Sequence, residues 1–153
     1  MNDYKLEHMC SYTGRLINPP EVIGPVPEGI RVNFYSAGGE FTGLNMRGNV
    51  RSVGGDWVTV RKDGVAHLDV RSTFEAHDGA LILVIYQGVA DFGEDGYDRF
   101  LRGKVPSVVK LRTAPRFVPS HAEYAWLNRL SCLGIGEYRS VSNEATYDAY
   151  AVR

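Results

Sequence analysis

The sequence lacks the features by which several large classes of protein are recognised. Its 153 residues include only two cysteines, Cys10 and Cys132, and its 17 basic residues nearly balance 18 acidic ones. Two cysteines are too few for a disulfide framework, so we expect both to be reduced and structural. A nearly neutral chain does not predict a nucleic-acid partner, because such proteins usually carry a basic face.

Long hydrophobic runs are also missing. The longest apolar segment extends from Ala80 to Tyr86, far short of the roughly 20 residues with which a helix crosses a bilayer. The first residues contain no apolar stretch typical of a signal peptide. We therefore expect no membrane partner and a cytoplasmic location.

Motifs for cofactors and metals are absent as well. The chain has no Walker-type glycine loop, no Cys-x-x-Cys pair, no His-Glu-x-x-His and no Gly-x-Ser-x-Gly. Its four histidines, at positions 8, 67, 77 and 121, show no metal-ligand spacing. We expect a protein that uses no cofactor and no metal.

What the sequence does have is alternation of apolar and polar residues, which is typical of strands. The predicted strands are Tyr4–Leu16, Ile30–Tyr35, Glu40–Val50, Asp56–Arg61, Val65–Glu75, Ala80–Gln87, Val108–Phe117, Leu127–Tyr138 and Thr146–Val152. Most are separated by turn signals, at Ala37–Gly39, Gly54-Gly55, Lys62–Gly64 and His77–Gly79.

Three segments break this pattern. The proline-rich Asn18–Pro27 and the glycine-rich Asp91–Pro106 are predicted to be loops, and Ser120–Trp126 a single helical turn. The sequence thus predicts one all-β domain, residues 1–153. We expect an antiparallel β-barrel of about nine or ten strands with at most one short helix, and with room for a ligand inside.

One strand carries a row of ionisable residues. Within Val65–Glu75, strand alternation places His67, Asp69 and Arg71 on one face. This face is either a solvated outer surface or the lining of a cavity. An Asp–Arg pair buried inside a barrel would have to be hydrogen-bonded, for example to a polar ligand.

Asp56 and Trp57 follow the Gly54-Gly55 pair. They form either a tight turn with the indole in the core or a part of the barrel mouth. At the mouth the indole would stack on a flat ligand, and a carboxyl in a dry site would have its pKa raised, which suits a proton donor.

Further candidates lie nearer the C-terminus. Arg112 belongs either to an exposed strand face or to a site for an anionic oxygen of a ligand. Tyr124 and Trp126 are spaced by two, a pattern more often found in cores than in sites. Asn128 stands in an apolar run and would need a hydrogen-bond partner if buried, which a ligand could supply.

Six segments in this order resemble the family catalogued as domain of unknown function 3237. They are Gly38–Gly48, Gly54–Trp57, Asp63–Arg71, Asp78–Leu81, Leu111–Phe117 and Tyr124–Asn128. The resemblance covers about Leu6 to Val152 and implies a compact antiparallel barrel of calycin-like appearance. The chain departs from the usual bacterial pattern in a longer Asp91–Pro106 connection and in Tyr86-Gln87.

The resemblance also implies a chemistry. Some fungal members look like cofactor-free tailoring enzymes that close an ether ring on prenylated aromatic polyketides by intramolecular hydroalkoxylation. In such a reaction Asp56 would donate the proton, Asp69 would act as base or orienting anion, and Arg71 would bind an oxygen. The predicted substrate contacts are Trp57, Tyr86, Arg112, Tyr124, Trp126 and Asn128.

Two other functions fit the same residues. The barrel could bind or carry a small aromatic molecule without chemistry, which explains the missing cofactor motifs equally well. It could also be an assembly protein, and partly unpaired strand edges would allow a homodimer.

Overall fold

The computed structural model describes residues 2–153; Met1, the first residue of the predicted domain, lies outside the described residues. Eight antiparallel strands close into a barrel and two further strands pair onto it. The all-β barrel predicted from the sequence is therefore confirmed. Residues 2–153 contain two short helices, one more than predicted, and neither is long or apolar enough to cross a membrane.

The strands follow one another along the chain with mostly short connections. They are β1 (Leu6–Leu16), β2 (Glu21–Val26), β3 (Gly29–Gly43), β4 (Met46–Val60), β5 (Val65–Ala76), β6 (Leu81–Asp91), β7 (Val108–Thr113), β8 (Arg116–Pro119), β9 (Cys132–Arg139) and β10 (Glu144–Val152). Helix α1 (Gly96–Leu101) precedes β7, and a 3₁₀ helix (Ala122–Arg129) precedes β9.

Closure of the barrel depends on the first strand. The order around the barrel is β1-β10-β9-β7-β6-β5-β4-β3, and pairing of β1 with β3 completes the circle. β2 adds to β3, and β8 adds to β6. Closure leaves the eight barrel strands without free edges.

Two glycine clusters lie inside strands rather than between them, contrary to the prediction. The register of β3 against β4 shifts between Tyr35 and Gly39, and that of β4 against β5 shifts between Val50 and Gly54. Such shifts are β-bulges, which glycine permits and which bend a strand without ending it. The turn that joins β3 to β4 lies within predicted strand Glu40–Val50, where Asn45 has a φ of 58°.

Other boundaries also differ from the prediction. The Asn18–Pro27 segment contains β2, whose proline is tolerated because this strand pairs on one side only. The predicted strand Val108–Phe117 is split into β7 and β8, with Pro115 between them. The predicted strand Leu127–Tyr138 begins as the end of the 3₁₀ helix, and the predicted loop Asp91–Pro106 contains α1.

The barrel has two unlike ends. We call the end with the turns Lys62–Gly64 and 140–143 and the segment 92–107 the open end, and the end with the turn His77–Gly79 and the 3₁₀ helix the closed end. The closed end is filled by the buried side chains of Phe41, Phe74, Ile82, Phe117 and Leu127. Aromatic packing there is tight, with the Phe41 and Phe74 ring centroids 4.8 Å apart.

Both cysteines are free and buried. Burial is the main reason that the pKa of the Cys10 thiol is raised to about 12. A thiol with so high a pKa has little thiolate and is unreactive, which agrees with a structural role.

Candidate functional site

A cavity of about 270 Å³ occupies the half of the barrel towards the open end. Its volume is near the lower end of the range of small-molecule sites, roughly 300–1,000 Å³. Phe74 belongs to its wall and also to the packed core towards the closed end. Most of the wall is apolar, including Phe34, Val58, Leu68, Val70 and Val109.

Asp56 is the carboxylic acid of this wall. It is partly accessible because it borders the cavity, yet it lies deep in the molecule. Its Oδ1 accepts a hydrogen bond of 2.9 Å from the backbone N–H of Asp69 on β5. The pKa of Asp56 is raised to about 7, chiefly by burial; the backbone hydrogen bond from Asp69 opposes the shift and the charge of Asp69 adds to it. The carboxyl can therefore hold or release a proton near neutral pH.

A bulge in β4 sets the position of Asp56. Val50 pairs with Phe74 and Gly54 with Ser72, so β4 has two more residues than β5 between these pairs. Gly54 has a φ of +77°, and a Cβ on Gly55 would lie 2.5 Å from the carbonyl oxygen of Phe34. Both positions require glycine. After the bulge, Asp56 and Val58 face inwards while Trp57 faces outwards.

Three tyrosines on other strands line the cavity together with Asp56. Tyr12 on β1 and Tyr147 on β10 are register partners whose rings stack at 4.9 Å. Tyr86 on β6 meets Tyr147 edge to face at 5.6 Å. Burial raises the pKa of all three phenols, and the charge of Asp56 adds to this effect at Tyr86 and Tyr147. The three side chains are therefore neutral hydroxyl groups at physiological pH.

The Tyr12 hydroxyl is enclosed and has no hydrogen-bond partner within residues 2–153. The nearby Tyr86 hydroxyl raises the pKa of Tyr12, but no hydrogen bond of standard geometry joins the two groups. A buried hydroxyl without a partner is uncommon in proteins and calls for a ligand or water. Because the atom is also closed off by its neighbours, an oxygen inside the cavity would bond to it after a small movement of the Tyr12 or Tyr86 side chain.

The mouth of the cavity is held by a different set of polar contacts. Asn143 donates from Nδ2 to the carbonyl of Leu16 at 2.7 Å, and Tyr138 donates its hydroxyl proton to Asn143 Oδ1 at 2.8 Å. These bonds tie the β9–β10 turn to the end of β1. Across the mouth, Phe92 and Phe100 of the segment before β7 turn their rings towards each other, with centroids 6.3 Å apart, and both line the cavity.

Of the residues predicted from the sequence to form the site, the structure brings Asp56 and Tyr86 together in the wall. The row with Asp69 and Arg71 lies on the outer face of β5. Of the two alternatives given for this row, it is therefore a solvated outer surface and not the lining of the cavity. Arg71 borders the cavity, but its side chain is 55% exposed and binds Asp69 at 3.2 Å. Its guanidinium lies 5.6 Å from the Trp57 ring centroid, also on the outside.

The remaining predicted residues lie elsewhere. Arg112 is exposed on the outer face of β7, where it donates to the carbonyl of Leu111 at 2.7 Å. Tyr124, Trp126 and Asn128 belong to the 3₁₀ helix at the closed end. Tyr124 donates to Asp78 at 3.1 Å, and Asn128 donates to the carbonyl of Pro119, also at 3.1 Å. These contacts explain Tyr124 and Asn128 structurally, without a ligand, and Trp126 packs against the core.

Sequence reasoning missed Tyr12 and Tyr147. A signal for them does exist, because each is flanked two residues away by small side chains on the same strand face. Tyr12 lies between Cys10 and Gly14, and Tyr147 lies between Ala145 and Ala149. Small residues beside a tyrosine on an inward face leave a hollow in a barrel.

One group of possible metal ligands occurs among residues 2–153. Asp78, His121 and Glu123 offer atoms within 4.8 Å of one another. All three are exposed and lie at the closed end, away from the cavity. They have no part in the chemistry of the Asp56 site.

Comparisons with known proteins agree with this fold. A UPF0311 protein of Rhodopseudomonas palustris is 28% identical over 131 residues, which cover 84% of each chain. A beta-barrel like protein from Acinetobacter baumannii has a crystal structure with a TM-score of 0.82 and 26% identity, covering 100% of this chain and 98% of that one. The crystal structure of an enzyme from Penicillium herquei gives a TM-score of 0.68 at 22% identity, with 100% and 97% covered.

At 22% identity the likeness to the Penicillium protein shows the fold alone. The family model for "Protein of unknown function (DUF3237)" matches residues 4–152, which is nearly the whole sequence. The chain belongs to the DUF3237 family.

Proposed function

We propose that the protein binds a small, flat, oxygenated aromatic molecule in the barrel and catalyses a cofactor-free proton transfer on it. The observation that carries the proposal is Asp56, a carboxyl with a pKa of about 7 in an apolar cavity beside three neutral tyrosines. A general acid is most effective when its pKa is near the working pH.

The reaction that best uses this arrangement is intramolecular hydroalkoxylation of a prenylated phenol. The alkene takes the proton of Asp56 at its less substituted carbon, so that a C–H bond forms and the carboxyl O–H bond breaks. The phenol oxygen then bonds to the cationic carbon and releases its own proton to the Asp56 carboxylate. The product is an isomer of the substrate, and no oxidant or reductant is needed.

The wall supports the other requirements of this reaction. Apolar side chains exclude water, which would otherwise capture the cation. Holding the two reacting groups together can remove about 7–11 kcal/mol of barrier in well-aligned cases. The tyrosine hydroxyls can hold the phenol or a neighbouring carbonyl oxygen. The Penicillium herquei protein with this fold is an enzyme, which is consistent with catalysis on such a barrel.

The direct test is turnover of a prenylated phenol, followed by chiral analysis of the cyclic ether. We expect one enantiomer in excess, with the rate falling as pH rises above about 7 because Asp56 loses its proton. Asp56→Asn should lose most of the turnover, by a factor of about 100 or more.

Asp69→Asn is the matched comparison. It makes the same chemical change on the neighbouring strand, but its carboxylate lies on the outer face and its backbone N–H still binds Asp56. We expect this variant to retain most activity. Equal loss in both variants, or racemic product at the background rate, would contradict the assignment of Asp56.

Binding without chemistry is the second candidate. The buried Tyr12 hydroxyl has no hydrogen-bond partner within residues 2–153, which favours a bound ligand but is not evidence for a reaction. A carrier would bind the prenylated phenol and return it unchanged, so the same incubation separates the two functions.

A further inference from the structure

The charges around the cavity are unevenly distributed. Six titratable residues among the described residues line it, one from each of six barrel strands. They are Tyr12, Asp56, Arg71, Tyr86, Tyr138 and Tyr147. Arg71 is the one cation among the described lining residues. Its guanidinium lies at the outer surface, where it contacts Asp69 and Trp57, so no cation of residues 2–153 lies inside the cavity to pair with an anion.

An anionic ligand would therefore meet two penalties. It would lose its water without gaining a cationic partner, which is costly in an apolar site. It would also face the carboxyl of Asp56, and like charges at short distance disfavour each other's ionised forms. The same environment already raises the pKa of the tyrosine hydroxyls that surround Asp56.

A neutral ligand oxygen would avoid both penalties and could form hydrogen bonds in the cavity. The Tyr12 hydroxyl is enclosed without a partner within residues 2–153 and can donate to a carbonyl or phenol oxygen, or accept from a phenol. The hydroxyls of Tyr86 and Tyr147 lie in the same part of the wall. Each can serve as donor or acceptor.

We propose that the cavity admits only uncharged ligands, holds an ionisable ligand such as a phenol or enol in its protonated form, and uses the Tyr12 hydroxyl as the hydrogen-bond partner. The inference rests on the ligand site of the proposed function and names its substrate class. It excludes carboxylates, phosphate esters and phenolates as ligands. It does not require that any reaction take place.

Titration of bound 4-nitrophenol tests this directly, because only its anion absorbs visible light and it titrates near neutral pH. With saturating protein, we expect the phenolate band to weaken and the midpoint of the bound probe to rise by about one pH unit or more. A stronger phenolate band, an unchanged midpoint at saturation, or no binding of the neutral probe overturns the proposal.

A pair of neutral and charged ligands gives a second measurement. 4-Nitrobenzyl alcohol and 4-nitrobenzoate differ chiefly in charge, and we expect the alcohol to bind at least about 10-fold more tightly at neutral pH. Equal affinity, or tighter binding of the carboxylate, overturns the proposal.

Tyr12→Phe tests the hydrogen-bond partner, and Tyr150→Phe is its matched control because Tyr150 lies on the outer face of β10 beside His8. We expect the affinity for neutral 4-nitrophenol to fall about 5- to 10-fold in Tyr12→Phe and to stay unchanged in Tyr150→Phe. Equal affinity in both variants overturns the role of Tyr12.

These experiments separate the inference from the proposed function. Selective binding of the neutral probe without cyclisation of a prenylated phenol leaves the inference standing and removes the catalytic role of Asp56. Cyclisation together with preferential binding of the phenolate supports the proposed function and overturns the inference that only uncharged ligands bind.

Discussion

Asp56 is the one carboxylic acid among the described residues that line the cavity. The sequence suggested a raised pKa for Asp56 in a dry site beside Trp57, and the pKa is raised, but Trp57 is not part of that site. Trp57 lies outside under Arg71, and burial beside the cavity is the main cause of the shift. The neighbouring residue in the sequence could not reveal this, because strand alternation sends adjacent side chains to opposite faces.

The raised pKa has a consequence for stability. Between the ordinary value of 3.8 and about 7, the folded protein keeps a proton on Asp56 that the unfolded chain releases. The free energy of unfolding therefore falls as pH rises through this range and stays lower above it. Replacing Asp56 with Asn removes the penalty and keeps a side-chain oxygen for the N–H of Asp69.

We expect Asp56→Asn to be more stable than the wild type by about 1–3 kcal/mol at about pH 8, and nearly equal to it at about pH 4. Urea unfolding at both pH values measures this difference. The control is Asp148→Asn, which changes an exposed aspartate on β10 that binds Ser11, and should give no such gain. An Asp56→Asn variant that is less stable at the higher pH would contradict the cause given for the shift.

At the scale of elements, the bulge of β4 and the segment before β7 shape the cavity. The hairpin turns at Lys62–Gly64 and His77–Gly79 could be predicted because Asp-Gly pairs fix them. In the sequence alone, the Gly54-Gly55 pair resembles a turn between two strands. Only the pairing of Gly55 with Tyr35 on one side and Arg71 on the other shows that the pair belongs to a bulge within a long strand. Such long-range pairs cannot be predicted from local sequence.

The α1 segment closes one side of the cavity with an aromatic ring. We expect Phe100→Ala to weaken the binding of a neutral aromatic such as 1-naphthol about 10-fold, because Phe100 supplies apolar contact area. Leu101→Ala, at a neighbouring position that is 50% exposed, should leave the affinity unchanged. Calorimetric titration of both variants decides the matter, and equal weakening would contradict the role of Phe100 in the wall.

At the scale of the whole molecule, the two ends of the barrel differ in packing. The packed closed end supplies stability, and the open end holds the cavity. The barrel itself could be predicted from strand count and turns. Which end carries the site could not, because Tyr124, Trp126 and Asn128 have side chains that suit a binding site as well as they suit the 3₁₀ helix.

Tyr124→Phe tests this division. It removes the hydrogen bond to Asp78 across the closed end, so we expect the free energy of unfolding to fall by about 0.5–1.5 kcal/mol. The affinity for 1-naphthol should not change, since the residue is remote from the cavity. A loss of affinity without a loss of stability would show that the closed end takes part in binding.

The most direct measurement is the titration of Asp56 itself. Carbon-13 NMR of the aspartate carboxyls, with the Asp56 signal assigned by its loss in Asp56→Asn, follows its protonation in the ligand-free protein. We predict a midpoint of about 7. A midpoint of about 4, the value of an ordinary exposed aspartate, would mean that the carboxyl is ionised and solvated, and the interior acid on which the proposed function depends would not exist.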